Sequence, residues 1–217
     1  MFPSAELIIA CPRCKELAKV SAGAPGSPEG VIIWSDGFQD APLNDRPPRV
    51  TRCGKCLGYF WTDEAQTLGY ILRGSAPPPE QAHWADAPAI QPLDESGLMN
   101  ALAQGLAYSP ELELELRVAI WWRGNDIFRT EDAPVGHATS KEAISNMERF
   151  IEMMAEGAED LLLFRAEALR QLGRFQEVEA SLQTVWCSDY APAKNRLLEL
   201  ARSGDRKLRK LFDSPAF

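Results

Sequence analysis

"RCGKCLGYFW", residues 52–61, sets two cysteines three positions apart and runs directly into an aromatic cluster. "CPRCK" at 11–15 repeats the spacing, so the chain reads Cys-x-x-Cys, then 38 residues, then Cys-x-x-Cys. Two intervening residues let a tight turn aim both sulfurs at one ion, and the amides of that turn can stabilise thiolate charge. Each pair supplies half of a tetrahedron. Cys11, Cys14, Cys53 and Cys56 together are therefore read as ligands of one Zn2+. Four thiolates leave no position for an activated water, which makes the expected zinc structural rather than catalytic. Two redox disulfides are the bland alternative, but a thioredoxin-like site would need a single pair in a βαβ setting.

Around the pairs, "ELIIAC", "LAKV", "VIIWS", "RVTRC" and "LGYFW" read as short strands. The loop "SAGAPGSPEG", a turn at Asp36-Gly37 and a proline-rich stretch ending at Pro47-Pro48 separate them. This is a zinc-ribbon plan over residues 1–67, too small and loop-rich to fold unaided. Zinc would supply the missing stability, on the order of 10 kcal/mol. Trp34, Tyr59, Phe60 and Trp61 either form the core of this small domain or present faces for stacking on bases or a peptide.

Twelve of the sixteen prolines lie in residues 1–92, which separates this half from a Leu-, Ala-, Glu- and Arg-rich remainder. Residues 68–95, including "APPPEQAHWADAP", read as a proline-rich linker. Residues 96–217 read as helical, giving an α+β chain with a β zinc ribbon followed by an all-α domain. "ELELELRVAI" at 111–120 alternates like a strand, yet Ser109, Pro110 and Glu111 make a helix start, and a helix is expected. "TSKE" at 139–142 predicts a capping box opening a helix through about residue 155. Cys187 is expected to be a small buried residue within a helix, and His137 a surface residue.

Residues 159–186 resemble a tetratricopeptide repeat, with Leu162, Ala166 and Leu169 on a first helix, Gly173 and Phe175 at the turn, and Val178, Leu182 and Val185 on a second. The resemblance implies stacked flanking helices and a concave groove for a protein partner, carried by Asp160, Leu163, Glu167 and Arg170. With "WSDG" and "FW" in the ribbon and "WWRGND" in the helical half, most of the chain resembles bacterial proteins that join a four-cysteine zinc ribbon to a tetratricopeptide-like region. That resemblance brings no activity with it.

A net charge of −8 argues against a strongly cationic nucleic-acid or membrane binder. A basic run over residues 194–210 and the ribbon residues Arg52, Lys55 and Trp61 nevertheless define an alternative, a nucleic-acid-binding surface. No leader or apolar span is legible, which leaves a cytoplasmic location as the expectation. No phosphate loop or nucleophile with its base is recognisable, so a non-enzymatic interaction protein is expected.

Overall fold

The computed structural model describes residues 5–21, 30–41, 47–72, 75, 77–129 and 140–213. In chain order these form β1 (Ala5–Ala10), β2 (Leu17–Ser21), β3 (Ile32–Trp34), β4 (Gln39–Asp40), β5 (Val50–Arg52), β6 (Tyr59–Trp61) and β7 (Gln66–Leu72). There follow α1 (Glu95–Ala103), α2 (Pro110–Asn125), α3 (Lys141–Met153), α4 (Glu159–Gln171), α5 (Phe175–Leu182), α6 (Ala191–Arg202) and β8 (Lys210–Asp213). Short strands with a cysteine cluster thus precede a region of several helices, and the fold is α+β. Most of the expected loop at 21–30, together with His137 and Thr139, lies outside the described residues.

The chain divides into two compact units, Met1–Glu29 with Ala41–Leu106, and Gly30–Asp40 with Ala107–Phe217. This division corrects the expected boundaries of 1–67, 68–95 and 96–217 in two places. Residues 30–40, read as part of the ribbon, belong with the helices, and α1 belongs with the strands.

In the first unit β1 lies between β2 and β7, antiparallel to both. Its apolar run is buried on two faces, as in a central strand covered from both sides. Ile9 packs with Val20, Cys11, Cys53, Phe60 and Ala65, whereas Ile8 packs with Ile71 and Trp84. β5 and β6 form a separate antiparallel pair that carries the second cysteine turn. The expected linker is largely built into this unit. Residues 66–72 are strand β7, Pro79–Asp86 is a 3-10 helix, and Lys19 N donates to Pro88 O at 2.8 Å while Ile90 N donates to Lys19 O at 2.9 Å. Trp84 is buried against Gly69. A Cβ at Gly69 would stand 2.6 Å from the indole. Gly69→Ala is therefore expected to lower stability by about 1–3 kcal/mol, measured by urea denaturation followed by tryptophan fluorescence.

In the second unit consecutive helices pack from α2 to α6 around one apolar cluster. Leu162, Ala166, Leu169, Val178, Leu182 and Val185 are all in it, with Phe175 packed at its margin. The α4–α5 turn closes on Gly173 at φ 79°, a left-handed position that suits glycine. α2 is a helix despite its strand-like alternation. Ser109 Oγ accepts from Leu112 N at 3.3 Å, Pro110 sits in the first turn, and Glu113 pairs with Arg117 one turn on at 2.8 Å. Its buried residues Leu116, Ile120 and Trp121 follow the helical period, so the Glu/Leu alternation upstream is decided by capping and tertiary packing. Ser140 is the N-cap of α3 and accepts from Ala143 N at 3.1 Å. Ser109→Ala should cost about 1 kcal/mol in thermal or urea unfolding of the helical signal.

Candidate functional site

The two cysteine turns have the same local design. Cys11 N donates to Glu16 O at 2.8 Å and Lys15 N to Cys11 O at 3.0 Å. In the second turn Cys53 N donates to Gly58 O at 2.9 Å and Leu57 N to Cys53 O at 3.0 Å. The residue following each pair is left-handed, Lys15 at φ 63° and Leu57 at φ 60°. The structure puts the left-handed φ one position after the second cysteine, on residues with side chains.

The four Sγ atoms lie within 4.8 Å of one another, with Cys11 to Cys56 at 3.8 Å and Cys14 to Cys53 at 3.6 Å. Sulfurs about 2.3 Å from a common ion at tetrahedral angles stand about 3.8 Å apart, which these two separations match. Cys11 and Cys53 are buried, and Cys14 and Cys56 are partly so. Burial pushes the Cys53 thiol up, but the amides of Cys56 and Lys55 and the sulfurs of Cys14 and Cys56 outweigh it, bringing the group down to about 7. A thiol poised there loses its proton readily to a metal at neutral pH.

The other predicted residues fare differently. Trp61 is 1% exposed and its Nε1 donates to Leu106 O at 3.2 Å, so it is core rather than a stacking platform. Phe60 is likewise buried. Lys55 is exposed and paired with Glu16 at 2.8 Å, and Arg52 donates to Leu57 O while lying over the Tyr59 ring. Trp34 is buried as expected of a core residue, but in the helical unit. Cys187 is exposed and not in a helix, which corrects its reading as a buried residue; it follows the end of α5, and its amide donates to Glu159 at 2.7 Å.

No family model, curated protein or solved structure matches this chain.

The groove residues read from the repeat resemblance divide. Asp160 is exposed and Leu163 half-buried, but Glu167 and Arg170 are fully buried. They form an ion pair on α4 at 2.7 Å. The face expected to be open is covered by residues 30–40 and by the chain beyond α6. Ser35 Oγ donates to Glu167 at 2.6 Å, Arg170 Nη2 donates to Lys207 O at 2.7 Å, and Arg170 Nη1 donates to Asp205 O. Gln171 Nε2 donates to Glu167 at 2.9 Å, and Gln171 Oε1 accepts from the Trp121 indole N–H at 3.0 Å.

A second cluster centres on Asp36, which is wholly buried. Arg129 donates to it with both terminal nitrogens, at 2.7 and 3.2 Å, and Asn125 Nδ2 at 2.9 Å. Its backbone carbonyl takes the Trp122 indole N–H at 2.9 Å. Burial pushes the Asp36 carboxyl above the usual range, against the opposing pull of Arg129, Asn125 and the Phe38 amide. Strand β3 completes the arrangement, pairing with β4 on one side and β8 on the other. Sequence reasoning quoted "WSDG" and "WWRGND" without linking them, and missed Ser35, Asp36, Asn125 and Arg129 as a unit. No periodicity connects two polar segments more than 80 positions apart.

Among the described residues no helix is long and apolar enough to cross a membrane.

Proposed function

We propose that this chain is a metal-stapled, non-enzymatic interaction protein, with one structural Zn2+ held by Cys11, Cys14, Cys53 and Cys56 and a helical unit that binds a protein partner. The observation that carries the metal part is the convergence of four sulfurs to within 4.8 Å of one another from turns 39 to 45 residues apart. Soft thiolates in a tetrahedron select zinc, or an iron of similar geometry. Two features favour zinc in a structural role. All four positions are sulfur, and Cys11 and Cys53 are themselves members of the apolar core, so the ion would replace packing that this unit lacks.

The helical unit supports the partner half of the reading through its α4–α5 hairpin, whose buried positions are those that the tetratricopeptide resemblance requires. A cytoplasmic location belongs to the same proposal, since a reducing compartment keeps the four thiols available to metal. Nucleic-acid binding by the ribbon is less favoured, because Trp61 is core and Lys55 is neutralised by Glu16.

Elemental analysis of protein purified without added metal tests the site. One equivalent of zinc per chain is expected, with release of the ion when the four thiols are titrated with a mercurial. Iron, or no metal with the thiols free, would overturn it. Binding of nucleic acid at low salt that falls steeply as salt rises would replace the partner reading with the alternative.

A further inference from the structure

Segment 30–40 is held in the helical unit by unusual chemistry for a core. Nine polar or charged residues are buried among the described residues, and six of them, Ser35, Asp36, Asn125, Glu167, Arg170 and Gln171, belong to the two clusters around this segment. The three buried side-chain polar atoms without a partner include Trp34 Nε1 and Asn125 Oδ1 from the same region. A core built for stability buries apolar atoms. Buried ion pairs break roughly even on stability and chiefly specify what fits.

Each residue from 34 to 38 is read individually. Arg129 and Lys210 lie over the Trp34 ring, Ser35 meets Glu167, and Asp36 meets Arg129 and Asn125. Gly37, at φ 75°, leaves no room for a side chain, since a Cβ would stand 2.7 Å from Phe164. Phe38 lies under Arg129 at 4.2 Å and against Trp122 edge to face. Recognition residue by residue along an extended strand and turn is how a groove reads a peptide.

We propose that the face formed by α2, Arg129 and α4 is a receptor for a Trp-Ser-Asp-Gly-Phe turn, and that residues 30–40 occupy it as an internal ligand that can leave. The partner that fits is a protein segment presenting an aspartate–glycine turn between aromatic residues, and it would enter by displacing the internal copy. This deepens the interaction reading above and rests on it. A chain that proves free of zinc would leave this proposal standing.

Two measurements test it. In the unaltered protein, hydrogen exchange at the amides of Trp34, Ser35 and Gly37 is expected to be at least about ten-fold faster than at Ala166 and Leu169 in α4, the signature of local opening below global unfolding. Equal protection would make the segment an integral part of the core and overturn the proposal. In the second measurement, a fluorescent peptide with the sequence of residues 30–40 is added to the full chain carrying Asp36→Ala. The variant is expected to bind it at least about ten-fold more tightly than the wild type, and a peptide with the same aspartate replaced by alanine should not bind. A variant that retains its helical signal yet binds no better than wild type would also overturn it. The exchange experiment needs no variant, so it decides even where Asp36→Ala fails to fold.

Discussion

Stripping the metal from the thiol cluster is expected to unfold the first unit, with a loss on the order of 10 kcal/mol. The reason lies in what the sulfurs touch. Cys11 and Cys53 are packed among Ile9, Val20, Phe60 and Ala65, so an ion held by the four sulfurs would sit at the centre of that core. Without it, four converging sulfurs would have to be buried with their protons or separated as charges, and either disrupts the convergence of the β1–β2 turn on the β5–β6 turn. Two left-handed residues outside glycine, Lys15 and Leu57, add strain that only the closed turns sustain. The measurement is hydrogen exchange after treatment with a strong chelator at neutral pH. Protection at β1 and β7 should collapse while that of α4 and α5 persists, and Cys53→Ser should reproduce the result without chelator. Unchanged protection of β1 in protein shown to be metal-free would defeat the prediction.

Arg170→Met is the substitution with the second largest expected effect. It leaves Glu167 wholly buried and short of the two donors that Arg170 supplies at 2.7 Å each. It also strips the carbonyls of Asp205 and Lys207 of their shared partner. Removing one member of a buried pair typically costs about 3–5 kcal/mol, and a loss in that range is expected in urea denaturation of the helical signal. Departure of residues 30–40 would let water reach Glu167 and cap the loss, and faster exchange at residues 34–38 in the variant would report that route. Adding Glu167→Leu to the same chain should recover a substantial part of the stability, because the second change removes the stranded carboxyl group. A loss below about 1 kcal/mol for Arg170→Met, or no recovery in the double variant, would show that the pair contributes little.

Glu167 and Arg170 also mark where a family resemblance misled. By position in the repeat they belong on an open groove, and the helix does present them on one face. What the repeat pattern does not contain is the segment that covers them, because that segment comes from between the cysteine pairs and from beyond α6. The same cause explains the misplaced boundary of the ribbon. "VIIWS" is correctly a strand, but its partners are β4 and a C-terminal strand, β8, rather than the strands beside the cysteine turns. "KLFD" at 210–213 lies in the domain expected to be all helical, and nothing local distinguishes it as a strand.

The sequence by itself determined the four cysteines that converge, the α+β order, and the starts of α2 and the α4–α5 hairpin. Those features rest on short-range chemistry, namely two-residue turns between cysteines, a side-chain cap ahead of Pro110, and apolar residues at helical period. Only the tertiary structure decided that residues 30–40 leave the ribbon to fill the face of α4, that α1 and the proline-rich stretch belong with the strands, and that Trp61 is core. Each of these depends on long-range polar complementarity or on which side of a strand finds cover, and neither leaves a periodic trace along the chain.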